Sequence, residues 1–299
     1  MSDVGISSIA GYLPRLRLSK KSVSQANAWL APNLVGKGKG TRAMANWDED
    51  SVTMSVEAIR RILGTNDDRS HVDSLFFAST TMPFSDRLNS GIIRAALTLE
   101  EQTECIDIAS TLKSGTSALI QALDKVKSGN SKYSIVSAAD KRKARAASPQ
   151  ELDFGDASVA LSVDTDNLIA KYINSSSLSI DFIDHFRQPG EEFDYNWEER
   201  WIRDEGFLKI VPKAINDLFD KTDIDGSEID HFIIPSVFPR VDQMIAKKCG
   251  IDPDKVVGNM ALTVGNTGSA HSLLMLASVL DRAKPGEKIL VCSFGNGSD

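Results

Sequence analysis

The amino-acid sequence predicts an α/β protein, because short apolar runs rich in β-forming residues alternate with longer segments of helical periodicity. Most of the short runs are continuously apolar, which is typical of strands covered by helices on both faces. Two helix starts, at 114–123 and 266–280, are both rich in Gly, Ser, Thr and Ala. Small residues let two helices approach closely, so we expect an internally duplicated fold whose halves share one body.

The predicted strands are distributed over both halves of the chain, and each is a run dominated by aliphatic and aromatic residues. In the first half they are 4–9, 74–79, 105–109, 133–138 and 157–163, and in the second half 169–173, 231–234 and 288–294.

Two segments have the apolar spacing of amphipathic helices that pack against a core. The first begins near Ser114 and places Leu119, Leu123 and Val126 on one face, and the second covers 207–219. In contrast, the segment 186–206 is polar and aromatic with few aliphatic residues, so we expect it to leave the core of the second half.

Composition excludes several classes of function. The chain has 299 residues, a net charge of -7 and a pI near 5.2, which argues against nucleic acid or an anionic membrane as the main partner. A leader sequence and a membrane-spanning apolar run are not evident, so we expect a cytoplasmic protein. The three cysteines are far apart in sequence, which predicts neither a disulfide framework nor an intrachain metal site.

The basic segment that contains Lys141, Arg142, Lys143 and Arg145 follows a predicted strand. Two interpretations stay open: a solvated loop, or a loop that meets an anionic ligand or partner.

Several segments, taken in order, resemble the thiolase superfamily, most closely hydroxymethylglutaryl-CoA synthase and the initiating ketoacyl synthases. They are VGISSIAGYLPRLRLS, NWDEDSVTMSVEAIRRIL, FFASTT, IDIASTLKSGTSAL, FGDASVAL, FIDHFRQPGEEF, FIIPSVFPR and VGNTGSAHS. Their order and spacing carry the resemblance, which covers nearly the whole chain. It implies a thiolase fold, with two similar halves forming a five-layer αβαβα sandwich and the small-residue helices in the middle.

The resemblance also implies where the site residues fall. In the family, the nucleophilic cysteine begins the central helix of the first half, and Leu112 occupies that position here. The family's histidine lies at or beside the Ile-Pro of FIIPSVF, where this chain offers Ile233 and Ser236, and the general-acid glutamate falls near Thr80. Asn266 matches the family, and we expect it either to hydrogen-bond a thioester carbonyl or to cap the helix that it begins.

Neither nearby candidate replaces the missing nucleophile. Cys105 lies seven residues before Leu112, a separation of roughly 20 Å in an extended strand. His231 shares a strand face with Ile233, but without a nucleophile to activate it has no evident task.

The resemblance implies an acyl-CoA-handling subunit that lacks its own cysteine nucleophile and works in a multicomponent acyltransferase. The expected ligand is CoA or acyl-CoA, not covalently bound, with Arg240 and Lys247 near its phosphates, although each also fits a plain surface cation. The expected partners are a second copy of the chain, paired through 105–109, a thiolase-like protein and a zinc-binding OB-fold protein.

Two alternatives stay open. One is an active condensing or acyl-transferring enzyme without a covalent intermediate, in which backbone amides at Leu112 and near Gly295 stabilise an enolate or oxyanion. The other is a purely structural partner with a closed tunnel. We expect the halves to divide into 1–165 and 166–299, and the family's last strand to be missing beyond Asp299.

Overall fold

The structure, a computed structural model, describes residues 3–65 and 68–299. The strands of this part of the chain are β1 (Gly5–Tyr12), β2 (Leu16–Ser19), β3 (Thr41–Met44), β4 (Ser74–Ala78), β5 (Glu104–Ile108), β6 (Ser134–Asp140), β7 (Ala157–Asp164), β8 (Ala170–Lys171), β9 (Leu178–Ser179), β10 (His185–Phe186), β11 (Tyr195–Asn196), β12 (His231–Ile233), β13 (Ile289–Val291) and β14 (Gly297–Ser298).

The α-helices are α1 (Lys20–Ala26), α2 (Ser51–Leu63), α3 (Asn89–Ala96), α4 (Ser114–Lys127), α5 (Pro149–Asp153), α6 (Glu199–Trp201), α7 (Leu208–Thr222), α8 (Val241–Lys248) and α9 (His271–Leu280). Short 3-10 turns lie at 32–37, 226–228, 253–255 and 268–270, and a π-helical turn joins α6 to α7. Within the described ranges, no helix combines the length and the apolar character needed to cross a membrane.

Six strands form the large sheet, in the order β5-β4-β6-β7-β1-β8. The pairs β5-β4 and β4-β6 are parallel, and the remaining pairs are antiparallel. One face packs against α2 and α3 around Phe77, Ile59 and Ile93, and the other packs against α4 and α9 around Leu161 and Met275. The continuously apolar strands are therefore covered on both faces, as the sequence predicts.

The second half completes the five predicted layers with a smaller sheet. β12 and β13 pair in parallel, and they lie between α9 on one side and α7 and α8 on the other, around Phe232, Val211 and Ile245. The predicted strand at 169–173 shortens to β8, which pairs with β1 in the first sheet rather than in the second. The chain turns back after β7, so this predicted strand extends the six-stranded sheet and not the smaller one. The division at 165 and 166 stays a prediction.

The two small-residue helix starts meet in the middle layer. A Cβ added to Gly115, in the first turn of α4, would lie 2.2 Å from the carbonyl oxygen of Ser269, just before α9. Real Cβ atoms do not approach an oxygen this closely, so glycine is required at this crossing. The close helix approach predicted from the sequence is confirmed.

Candidate functional site

Leu112 lies on the loop between β5 and α4, two residues before the helix begins. Its side chain is half-buried, and its carbonyl accepts a hydrogen bond from the Ser293 hydroxyl at 3.5 Å. A Cβ added to Gly295 would lie 2.9 Å from the Leu112 nitrogen, so the loop touches the end of the second half. An isobutyl side chain has neither a lone pair nor a transferable proton, so this position offers no covalent chemistry.

The amide of Gly295 does not point to a free site. It donates a hydrogen bond to the carbonyl of Gly297 at 3.1 Å, while the Gly295 carbonyl accepts from the Thr111 hydroxyl at 2.6 Å. This observation weakens the alternative in which amides at Leu112 and near Gly295 together hold an oxyanion.

Lys113, the residue after Leu112, is buried and paired. Its ammonium lies 2.8 Å from the Asp299 carboxylate, and the two side chains are 10% and 2% exposed. The hydroxyls of Thr116 and Ser117 donate to the other carboxylate oxygen at 3.0 and 2.6 Å. These contacts connect the first turn of α4 to residue 299. Because the Lys113 ammonium is paired with a carboxylate, it does not replace the missing nucleophile.

Thr80 lies two residues after β4, beside the fully buried carboxylate of Asp140. One oxygen of Asp140 accepts from the Thr80 amide at 2.7 Å and from the Ser79 and Thr81 hydroxyls at 3.0 and 2.9 Å. The other accepts from the Ser269 amide at 2.7 Å, so Asp140 connects the large sheet to the start of α9. The Thr80 hydroxyl itself is buried and makes no hydrogen bond to a described residue.

Asn266 is held by a buried arginine. The Arg142 guanidinium donates to the side-chain oxygen of Asn266 at 2.8 Å and to its backbone carbonyl at 2.9 Å. The same side-chain oxygen accepts from the Gly268 amide at 2.9 Å, at the turn that leads into α9. The oxygen of Asn266 is therefore engaged within the protein, while its two expected roles, a bond to a thioester carbonyl and a helix cap, stay predictions.

Arg142 is fully enclosed, and its guanidinium stacks on the Phe154 ring at 3.9 Å. Burial lowers the pKa of this guanidinium, and its Nε has no hydrogen-bond partner in the described chain. Lys141 is also engaged, because its ammonium donates to the carbonyls of Asn46 and Glu49 at 2.9 and 2.5 Å. The interpretation of the basic segment as one solvated loop is thus wrong for Lys141 and Arg142. In the sequence, the one indication that these cations are enclosed was that charged residues directly follow a buried strand.

Ser236 and Asn266 line a common cavity of about 60 Å³, together with Lys20, Asp153 and His271. The Ser236 hydroxyl accepts from the Phe238 amide at 3.1 Å. The structure therefore brings these two implied site positions together, whereas Leu112 and Thr80 are not among the lining residues.

His271 is a structural histidine. Its Nδ1 accepts from the Thr267 amide at 2.9 Å, which leaves Nε2 to donate to the Asn259 carbonyl at 2.9 Å. Complete burial lowers the pKa of His271 to about 4. His231 instead pairs with Glu287 at 3.0 Å near the surface. Both ring nitrogens of His271 are engaged, so this residue is not free to act as a general base for a substrate, and His231 does not line the cavity at Ser236.

The three thiols are poorly suited to nucleophilic attack. Burial raises the pKa of Cys105, raises that of Cys249 to about 11, and raises that of Cys292 further. Since the thiolate is the reactive form, these environments suppress reactivity. Among residues 3–65 and 68–299, no group of His, Cys, Asp and Glu could hold a metal ion.

Arg240 and Lys247 lie at opposite ends of α8, and both are exposed. Arg240 has a positive φ of 64°, in the left-handed region that non-glycine residues seldom adopt. Neither side chain lines the cavity at Ser236. Their proximity to CoA phosphates stays a prediction.

Comparison with known proteins supports the resemblance. The profile of the family described as 3-oxoacyl-[acyl-carrier-protein (ACP)] synthase III C terminal matches residues 219–299. Hydroxymethylglutaryl-CoA synthase of Caldivirga maquilingensis is 28% identical over 300 residues, which cover 99% of this chain and 85% of that protein.

Solved structures agree with the fold. 3-oxoacyl-(acyl carrier protein) synthase III, FabH, from Pseudomonas aeruginosa superposes with a TM-score of 0.85 at 17% identity, over 99% of this chain and 96% of that one. An OleA variant from Xanthomonas campestris, crystallised with lauric acid and lauroyl-CoA, superposes with a TM-score of 0.83 at 18% identity, over 99% and 97% of the chains.

The five layers and the paired central helices define a thiolase-fold protein. The sequence matches add a similarity to the hydroxymethylglutaryl-CoA synthases and to the initiating ketoacyl synthases.

Proposed function

We propose that this protein is an acyl-CoA-handling subunit of the hydroxymethylglutaryl-CoA synthase type that forms no covalent acyl intermediate of its own. The observation that carries the proposal is Leu112 on the loop two residues before α4, on a scaffold whose fold resembles that of the synthases. The raised pKa values of the three thiols and the engaged ammonium of Lys113 support it. Chemistry would then depend on a nucleophile from another chain.

We propose that the protein acts in the cytoplasm as a homodimer within a multicomponent acyltransferase, with a thiolase-like partner and a zinc-binding OB-fold partner. The curated relatives act on CoA thioesters by name, and the OleA variant binds lauroyl-CoA. CoA or acyl-CoA is accordingly the ligand that we propose, with its phosphates near Arg240 and Lys247.

The alternative of a purely structural partner has one observation in its favour. The cavity at Ser236 and Asn266 is about 60 Å³, far below the roughly 300 to 1,000 Å³ of sites for drug-sized ligands. A pantetheine arm could enter only if surrounding residues moved.

Calorimetric titration of the purified chain with CoA separates these proposals. Binding is expected for the wild type, and the double variant Arg240→Glu, Lys247→Glu should weaken it about tenfold or more, because two attractive charges become repulsive. Lys132→Glu, an exposed site in the first half, is the matched control. Absence of binding by the wild type would favour the structural partner, and unchanged binding by the double variant would remove Arg240 and Lys247 from the site.

The proposed multicomponent acyltransferase is tested on the native assembly. Affinity purification of the chain from its own cells, followed by mass spectrometry, should recover a thiolase-like and an OB-fold protein in fixed ratio. Recovery of the chain alone, with turnover of acyl-CoA by that purified chain, would contradict the proposal.

A further inference from the structure

The small cavity at Ser236 contains a buried lysine that the functional proposal above does not use. Lys20 is 4% exposed, and it lines the cavity together with Asp153 and Asn266. Its ammonium donates a hydrogen bond to the Ala261 carbonyl at 2.7 Å, and Ala261 is itself a lining residue. The charged end of Lys20, rather than its aliphatic stem, therefore lies at the cavity wall.

The Lys20 ammonium is buried without an ion pair to a described carboxylate. The hydrogen bond to Ala261 uses one of its three N–H groups. Burial lowers the pKa of this ammonium, and the negative charge of Asp153 opposes that change only in part. A lysine in such surroundings loses its proton more readily than an exposed lysine, and the free amine is a nucleophile.

Two further polar groups at the cavity are available for hydrogen bonds. The Asp153 carboxylate accepts no hydrogen bond from a described residue, and burial raises its pKa, so it is suited to taking up and releasing a proton. Asn266 uses its side-chain oxygen for Arg142 and Gly268, which leaves its amide N–H groups uncommitted. Both residues are partly exposed. The cavity thus combines an amine, a proton-exchanging carboxyl group and an N–H donor.

The size of the cavity limits what can react there. Its volume is about 60 Å³, and one water needs about 10 to 15 Å³, so the cavity holds roughly four to six water-sized groups. A CoA thioester exceeds this space, whereas a free molecule of about three or four non-hydrogen atoms fits. A carbonyl compound of this size suits the three groups, because an amine attacks its carbon while an N–H donor polarises its oxygen.

We propose that Lys20 forms a Schiff base with a small aldehyde or ketone bound in this cavity. The Lys20 ammonium gives one proton to the Asp153 carboxylate, and the amine nitrogen then bonds to the carbonyl carbon. The carbonyl oxygen, polarised by the Asn266 amide, takes up that proton and a second one from the nitrogen, and it leaves as water. The imine nitrogen keeps the third proton and the positive charge. This chemistry involves a free carbonyl compound and does not depend on CoA binding at α8.

The test uses the full wild-type chain with acetaldehyde and cyanoborohydride at neutral pH, which converts an imine to a stable ethylamine. Peptide mapping by mass spectrometry measures the rate of ethylation at each lysine. Lys20 should be ethylated about fivefold or more faster than its exposed neighbour Lys21, because a larger share of its amine is unprotonated. The two lysines are compared within one molecule, so the result does not require a variant to fold.

Benzaldehyde is the control for size, since its ring exceeds the cavity, and it should show no preference for Lys20. Lys20→Met should remove the fast ethylation from the time course of intact mass, and Lys21→Met, the same change at the exposed neighbour, should not. Ethylation of Lys20 no faster than that of Lys21, or an equal preference for Lys20 with benzaldehyde, would overturn the proposal.

Discussion

At the scale of single residues, loss of the ion pair between Lys113 and Asp299 should lower the free energy of unfolding more than loss of any other described ion pair. Lys113→Met would leave a buried carboxylate without its cation, and such losses cost about 3 to 5 kcal/mol in the free energy of unfolding. Urea denaturation followed by circular dichroism measures the change. Lys171→Met is the control, since Lys171 and Asp3 are 69% and 63% exposed, and it should be close to the wild type. Equal urea midpoints for Lys113→Met and Lys171→Met would show that the contacts between α4 and Asp299 do not stabilise the protein.

His271 should make stability depend on pH in a defined direction. Its pKa is about 4 in the folded protein because of burial, against an ordinary value of 6.5. The unfolded chain therefore binds a proton between these values and the folded chain does not, so stability falls as pH decreases from 6.5 towards 4. The loss amounts to about 3 kcal/mol.

The measurement compares wild type and His271→Gln by urea denaturation between pH 7.5 and 4.5. Burial raises the pKa values of Asp153 and Asp156, which gain stability as pH falls, so the informative quantity is the difference in slope. His271→Gln should flatten the profile, and His71→Gln, at an exposed position, should not. Identical slopes for wild type and His271→Gln would show that His271 does not supply the pH dependence.

At the scale of elements, α7 has a proline in its fifth position. Pro212 has no amide hydrogen, so the Leu208 carbonyl loses its helical donor, and the Lys248 ammonium from α8 supplies one at 2.7 Å. This contact also joins the two helices that cover the smaller sheet.

Lys248→Met should lower the free energy of unfolding by about 1 kcal/mol, because a partly buried carbonyl loses its hydrogen-bond donor. Lys247→Met is the matched control, since both lysines are exposed and it removes the same charge without touching the Leu208 carbonyl. Thermal denaturation of both variants gives the comparison, and a loss no greater in Lys248→Met than in Lys247→Met would contradict the contact.

Periodicity was sufficient to predict the long elements but not the short ones. The apolar faces of α4 and α7 and the runs of β4, β6 and β7 are properties of local sequence. In contrast, β8 and the β10-β11 hairpin have two residues in each strand, and their pairing depends on contacts with distant segments. The same limit applies to the site. Family spacing predicted the position of Leu112, but the burial of Arg142 beside Phe154 and Asn266 arises only when three distant segments meet.

At the scale of the whole molecule, β5 is an edge strand of the six-stranded sheet. The Glu104 amide donates to Asp73 and the Ile108 carbonyl accepts from Ser79, so the alternate residues Cys105 and Asp107 direct their backbone groups outward. An open edge of this kind favours pairing with another strand, and we expect two copies of the chain to pair here.

Light scattering at micromolar concentration should report a dimer for the wild type and for Cys105→Ser. Cys105→Pro removes an outward amide without touching the bonds to β4, and it should shift the protein towards monomer while the circular dichroism spectrum is retained. A monomeric wild type, or a Cys105→Pro variant that stays dimeric, would contradict pairing through β5.

The central claim, that this synthase-like scaffold forms no acyl-enzyme, is tested most directly by intact-mass spectrometry after incubation with acetyl-CoA. The wild type should gain no acetyl group. Leu112→Cys places a thiol at a helix N-terminus, where thiolate is favoured, and it should be alkylated faster than Cys249 or Cys292. Onward transfer should stay slow, since Ser236 offers no imidazole and general acid-base catalysis contributes about 10² to 10⁴-fold. Stoichiometric acylation of the wild type, mapped to a residue near Leu112, would contradict the account.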